Sequence, residues 1–118
     1  MITADNKKVY LAVGPTDMRK QINGLTELVA GVFGLDVFSD SLFVFLNRRR
    51  DIIRILEWDS DGFWLHTKRL ERGRFMWPDR RADMLTMDIS GTELMHVIKT
   101  TALQRRFKSD EVVERIIY

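Results

Sequence analysis

The chain has 118 residues, of which 45% are hydrophobic and 31% are charged, with 19 Lys and Arg against 17 Asp and Glu. This composition is typical of one globular domain, residues 1–118, that buries its core without disulfides. The absence of cysteine excludes Cys-ligated zinc, iron–sulfur clusters and thiol catalysis. No apolar run approaches the ~18 residues of a transmembrane helix, and the first residues lack the order of a signal peptide. We therefore expect a cytoplasmic protein without membrane contact.

The first third of the chain has a strand followed by a helix. The apolar run over 8–13 ends at a Gly-Pro pair and predicts the first strand. Apolar residues then recur at three- and four-residue spacing, which predicts a helix over about 17–33. Thr16 or Asp17 is the predicted N-cap, and Gly34 is the predicted left-handed stop.

After a predicted loop over 35–40 the hydrophobic period changes to two. The segment 41–47 is apolar on both faces and predicts a central strand. Three further strands are predicted in hairpin order over 52–58, 63–68 and 74–77, with Pro78 ending the last. The turns between them are predicted at 48–51, 59–62 and 70–73.

The last third of the chain has weaker patterns. Residues 84–89 predict an edge strand, and Ser90 with Glu93 forms a capping box before a helix over about 91–103. A short final helix is predicted after Ser109 or Asp110. The sequence thus predicts an α+β domain: a mostly antiparallel β-meander of about four to five strands packed with two to three helices, the C-terminal helical region covering about 90–118.

Positive charge is concentrated in the middle of the chain. Residues 1–46 and 82–118 each have a net charge of −1, whereas residues 47–81 have +4 and most of their basic residues are arginine. Arginine is suited to bidentate contact with phosphate or carboxylate. A solvated, arginine-rich face is the alternative interpretation.

The predicted meander brings these arginines together, because alternate turns lie at the same end of a sheet. The turn at 48–50 should neighbour the turn near 72–74, while the 59–62 turn lies at the opposite end. This end of the sheet, here called the arginine edge, fits a phosphate backbone or an acidic partner surface. Its candidate binding residues are Arg48, Arg49, Arg50, Lys68, Arg69, Arg72 and Arg74.

Two tryptophans are candidate aromatic contacts. Trp64 alternates with His66 and Lys68 on one face of a predicted strand, a pattern that binds single-stranded nucleic acid in some proteins but is more often covered by a helix. Trp77 is the second.

No catalytic or metal-binding pattern is present in the sequence. Asp59 and Asp61 resemble the start of a calcium loop, but Phe63 and Leu70 occupy later ligand positions, so a hairpin turn explains them better. The other aspartates have no selective spacing. We therefore expect no enzymatic activity, no cofactor and no small-molecule substrate.

Several strings together resemble one family of proteins. They read VYLAVGPTDMRK at 9–20, GL at 24–25, LFVF at 42–45, NRRRD at 47–51, WD at 58–59, DGF at 61–63, KRLERGRF at 68–75 and WP at 77–78. Over about 9–78 the chain resembles the TnpB-type accessory proteins, products of the second reading frame, of the bacterial IS-sixty-six insertion-sequence family. Val37 stands where that family usually has Pro, and Glu57 where many members have an aromatic residue.

The resemblance implies a small protein that is needed for transposition beside a separate, larger transposase, which carries the chemistry. Two functions remain open. The chain is either a module that contacts DNA through its arginine edge, or an adaptor that docks on the transposase through the same arginines without direct DNA contact. An independent nuclease is disfavoured because the family architecture places catalysis in the transposase.

Overall fold

A computed structural model describes residues 6–76 and 83–99 of the chain. In chain order, the elements are β1 (Lys8–Ala12), α1 (Ile22–Glu27) continuing into a π-helical segment (Leu28–Val32), β2 (Ser41–Leu46), β3 (Ile52–Asp59), β4 (Gly62–Arg69), β5 (Thr86–Ile89) and α2 (Gly91–Lys99).

The strands form one mixed sheet in the order β4-β3-β2-β1-β5. β1 and β2 are parallel, with Val9 opposite Leu42, and α1 lies in the connection between them, as a parallel pair requires. The other three pairings, β1–β5, β2–β3 and β3–β4, are antiparallel. These pairings confirm the predicted α+β class with a mostly antiparallel sheet.

A helix covers each face of this sheet. All six residues of β2 are buried, which is why its sequence is apolar on both faces. On one face, Leu25 and Val29 pack against Phe43, Phe45 and the other members of their cluster. On the other face, Leu94 and Val97 of α2 pack against a second cluster. This second cluster includes Val9, Leu11, Leu42, Val44, Leu46, Ile53, Ile55 and Phe75.

The start of the first helix differs from the prediction. α1 begins at Ile22, not near 17, and Gln21 precedes it without a side-chain cap. Thr16 is instead buried, and its amide donates to the Leu46 carbonyl at the end of β2, 2.8 Å away. Asp17 accepts a hydrogen bond from the Arg19 amide and so caps a local turn. The predicted stop is confirmed, because Gly34 has a φ of 68°.

The segment predicted as the strand 74–77 also differs. Of residues 74–76, which the structure describes, only Phe75 is in a β-bridge. Its amide donates to the Arg50 carbonyl 2.8 Å away, so this part of the chain lies against the β2–β3 turn. The composition of residues 74–77 predicted a strand beside β4. The hydrogen bond between Phe75 and Arg50 instead directs the chain to the β2–β3 turn. Trp77 and Pro78 lie outside the described residues.

The predicted edge strand and capping box are confirmed. β5 pairs with β1 at the sheet edge. Glu93 accepts from the Ser90 amide at 2.9 Å, and the Ser90 hydroxyl accepts from the Glu93 amide at 3.0 Å, which is the reciprocal pattern of a capping box. Residues 100–103 and the predicted final helix lie outside the described residues.

Candidate nucleic-acid interface

The arginine-rich turn between β2 and β3 is held by one asparagine. The Asn47 side-chain oxygen accepts from the amides of Asp51 and Ile52, each at 3.0 Å. Its side-chain amide donates to the Asp51 carboxylate at 2.6 Å. The Arg50 amide also donates to the Asn47 carbonyl at 3.1 Å. These bonds fix a tight turn despite the repulsion among three consecutive arginines.

The turn presents its three arginines differently. Arg48 and Arg49 are exposed at the tip, whereas Arg50 is half-buried. Arg50 also has a φ of 63°, in the left-handed region that favours glycine. The backbone therefore turns at Arg50, and the guanidinium groups accessible at the tip are those of Arg48 and Arg49.

The chain segment after β4 returns to this turn. The Leu70 amide donates to the Asp51 carbonyl at 2.7 Å, and the Arg74 Nε donates to the Arg49 carbonyl at 3.1 Å. Arg74 is only 8% exposed, so its guanidinium supports the turn from within. Arg72 is exposed nearby. Hydrogen bonds to backbone carbonyls of the turn thus bring the two arginine segments together.

The last two basic residues of β4 point to opposite faces of the sheet. Arg69 is exposed, with its Nε 3.2 Å from Glu71 Oε2. Lys68 lies on the α2 face, and its Nζ donates to the Ile98 carbonyl at 3.2 Å. A cation near the last turn of a helix is favourable because of the helix dipole. Lys68 therefore interacts with α2, while Arg69 stays with the arginine edge.

Trp64 is not brought to the arginine edge. It is 57% exposed, and its Nε1 donates to Asp59 Oδ2 at 3.0 Å. Its ring stacks on His66 with centroids 6.0 Å apart. Since Arg69 is five residues further along β4, a rise of ~3.3 Å per residue places Trp64 roughly 17 Å from that edge. Trp77, the other aromatic candidate, lies outside the described residues.

The loop between β1 and α1 forms the other side of the edge. It faces the β2–β3 turn across an open groove of about 660 Å³. The groove is lined by Pro15, Thr16, Asp17, Met18, Arg19, Asn47, Arg48, Arg49 and Ile52.

Arg19 lines this groove and is a candidate residue that sequence reasoning missed. Its Nη2 lies 2.8 Å from Asp17 Oδ2. Hydrogen bonds from the Arg19 side chain and from its backbone amide lower the pKa of Asp17 to about 2. The strand–helix–strand order of β1, α1 and β2 was the sequence signal that could have found it. Such a unit makes its two strands parallel, and the carboxyl ends of parallel strands lie at the same edge of a sheet.

The turn aspartates at the other end of the sheet have structural contacts. The Asp61 amide donates to the Asp59 carbonyl, and Asp59 also accepts from Trp64. Within residues 6–76 and 83–99, no group of three or more His, Asp or Glu side chains is placed to hold a metal ion. In the same ranges, no helix is long and apolar enough to cross a membrane.

Comparison with known proteins identifies the family. The sequence model of the family of IS66 (IS-sixty-six) Orf2-like proteins matches residues 7–108 of the chain. The chain belongs to the IS66 Orf2-like family. The uncharacterized protein y4hO of Sinorhizobium fredii is 34% identical over 96 residues, which cover 81% of this chain and 82% of that protein. The uncharacterized protein y4jC of the same organism is 36% identical over 80 residues, 68% of each chain. No solved structure matches.

Membership of the IS66 Orf2-like family indicates an accessory role in transposition, in association with a transposase system, and not a known enzyme class. Val37 and Glu57, the two positions expected to depart from the family pattern, both have defined contacts. Val37 is buried beside α1. Glu57 lies between the Lys7 ammonium and the His66 imidazole, 3.3 Å from Lys7 Nζ and 3.0 Å from His66 Nε2.

Proposed function

We propose that this IS66 Orf2-like protein is a non-catalytic accessory protein that contacts DNA through its arginine edge, the surface formed by Arg48, Arg49, Arg69 and Arg72. The observation that supports the proposal is the joining of two separate chain segments by hydrogen bonds. The Leu70 and Phe75 amides and the Arg74 side chain all donate to carbonyls of the β2–β3 turn. Arginines that are far apart in sequence thereby lie at one end of the sheet.

The charge at this edge is positive even after its acidic neighbours are considered. Arg69 has Glu71 at 3.2 Å, and Arg19 has Asp17 at 2.8 Å. The four arginines of the edge outnumber the two acidic residues of the same segments, Asp51 and Glu71. Such a local excess attracts the phosphate backbone without base specificity.

The salt dependence of DNA binding tests the proposal. Arg48→Gln combined with Arg49→Gln should weaken binding to every duplex, measured by gel shift or fluorescence anisotropy. Each lost phosphate contact lowers the slope of log affinity against log salt by about 0.9, so the slope should fall by about one to two units.

Lys8→Gln is the matched control because Lys8 is exposed at the other end of β1. Lys7 is unsuitable as a control because it forms salt bridges with Asp40 and Glu57. The control should keep both the affinity and the salt slope of the wild type. Equal binding by the double variant and the wild type would refute the proposal.

The same variants test the adaptor alternative. If the edge docks on the transposase, the double variant should lose co-purification with the transposase while any DNA affinity keeps its salt slope. Transposition in cells at the wild-type rate by a folded double variant would exclude both functions and leave the arginines as a solvated loop.

A further inference from the structure

Two open depressions flank the carboxyl end of β1 and share one loop. The basic groove is the 660 Å³ depression that contains Arg19, Arg48 and Arg49. On the other side of the loop lies a second depression of about 630 Å³, here named the apolar recess. Pro15, Thr16 and Asp17 line both, so the two depressions are neighbours.

The apolar recess has a hydrophobic lining that is open to solvent. Its apolar side chains come from Ala12, Val13, Leu28, Phe33, Met84 and Leu85. Leu85 is 59% exposed and Met84 is 40% exposed. Its volume is within the roughly 300–1,000 Å³ of small-ligand sites. Exposed apolar surface with a polar rim, here including Lys20, is typical of a binding site.

The spacing between the groove and the recess is fixed by backbone hydrogen bonds. The Val13 amide donates to the Leu85 carbonyl at 2.9 Å, which ties the recess to the end of β1. The Thr16 amide donates to the Leu46 carbonyl at 2.8 Å, which ties the shared loop to β2 and to the arginine turn. A ligand that spans both depressions therefore meets a preformed surface.

A cationic groove beside an apolar recess matches the chemistry of an unpaired nucleotide. Its phosphates are anionic, and its base has apolar faces that pack on aromatic and aliphatic side chains. In a duplex the bases are paired and stacked, so they are unable to enter a recess without unpairing. A single strand offers phosphates and bases at the same time.

We propose that this surface binds single-stranded DNA, with phosphates in the basic groove and a base in the apolar recess against Phe33 and Leu85. The inference rests on the proposed DNA-contacting function and specifies its substrate. Asp17 lies between the two depressions, but its carboxylate is engaged by the Arg19 guanidinium. The cationic side of the groove is completed by Arg48 and Arg49.

Three DNA probes of equal length distinguish backbone binding from base binding. They are a single-stranded thymidine homopolymer, a strand of abasic sugar-phosphate units, and a duplex. Fluorescence anisotropy at one salt concentration should give the homopolymer about tenfold or greater preference over the abasic strand, since one stacked base contributes that much. The duplex should also bind more weakly than the homopolymer.

A matched pair of neutral variants localises the effect. Leu85→Gln alters an aliphatic side chain in the recess, whereas Val32→Gln alters one with similar exposure, 56%, that is not part of the lining. Leu85→Gln should remove most of the preference for the homopolymer and leave the affinity for the abasic strand unchanged. Val32→Gln should change neither. Arg48→Gln combined with Arg49→Gln should weaken binding to both the homopolymer and the abasic strand. Circular dichroism checks that each variant is folded.

The outcomes separate this inference from the proposed function. Equal affinity for all three probes, with sensitivity only to the arginines, would overturn the single-strand inference and leave DNA contact standing. No affinity for any probe would overturn both. If Leu85→Gln instead reduced co-purification with the transposase and left DNA binding intact, the recess would be a protein-docking site and the inference would be wrong.

Discussion

Replacing Asn47 by Ala should disorganise the arginine turn without removing any positive charge. The substitution deletes two hydrogen bonds to backbone amides at 3.0 Å and one to the Asp51 carboxylate at 2.6 Å. A neutral hydrogen bond contributes about 1 kcal/mol and one to a charged group about 1.5–3 kcal/mol. Because water replaces part of this in a half-buried turn, we expect a loss of about 2–4 kcal/mol in the free energy of unfolding, measured by urea denaturation.

Asn47→Asp is the matched variant. It keeps an acceptor for the two amides, but it replaces the donor to Asp51 by a second carboxylate. This variant should be destabilised at neutral pH, where two carboxylates repel each other, and should recover part of its stability as the pH falls and one carboxyl group is protonated. Asn47→Ala should also weaken DNA binding if the arginine edge contacts DNA. A loss of unfolding free energy below about 0.5 kcal/mol for Asn47→Ala would show that Asn47 does not hold the turn.

Three further predictions concern local structure. Arg50→Gly should change the free energy of unfolding by less than about 1 kcal/mol, because relief of its positive φ, 63°, offsets the greater chain entropy of glycine; a larger loss in urea denaturation would contradict this. In an NMR titration, the Asp17 carboxyl should have its midpoint near 2, so the stability from its contact with Arg19 is present above pH 3.8 and lost as the pH falls through about 2. Arg19→Gln should raise this midpoint toward 3.8, and an unchanged midpoint would count against the contact. Ser90→Ala should lower the free energy of unfolding by about 1 kcal/mol through loss of the α2 cap, and Glu93→Gln should cost less; equal stability of Ser90→Ala and the wild type would rule the cap out.

The parts of the fold that the sequence predicted are those set by local patterns. Short apolar segments bounded by strong turn signals identified β2, β3 and β4, and every predicted end lies within one residue of the observed end. The Ser90 and Glu93 pair identified the start of α2, because both halves of a capping box lie within four residues.

The structure differs from the prediction where hydrogen bonds between residues far apart in sequence determine the path of the chain. The Thr16 amide pairs with the Leu46 carbonyl, thirty positions away, so the chain leaves β1 as a tethered loop and the helix begins later. The spacing of apolar residues along the chain does not reveal the hydrogen bond between Thr16 and Leu46. Likewise, the sequence around Arg74 does not reveal that its guanidinium is buried under the Arg49 carbonyl.

The parallel pairing of β1 with β2 explains why the candidate site lies at one end of the sheet. Both strands run toward the arginine turn, so the β1–α1 loop and the turn after β2 meet there. β3 and β4 then run out and back, which returns the chain at Leu70 to Asp51 at the same end. Trp64, bonded to Asp59, is left at the far end. Substitutions at Trp64 should therefore leave the arginine edge unaltered, and any DNA contact through Trp64 would be a separate one.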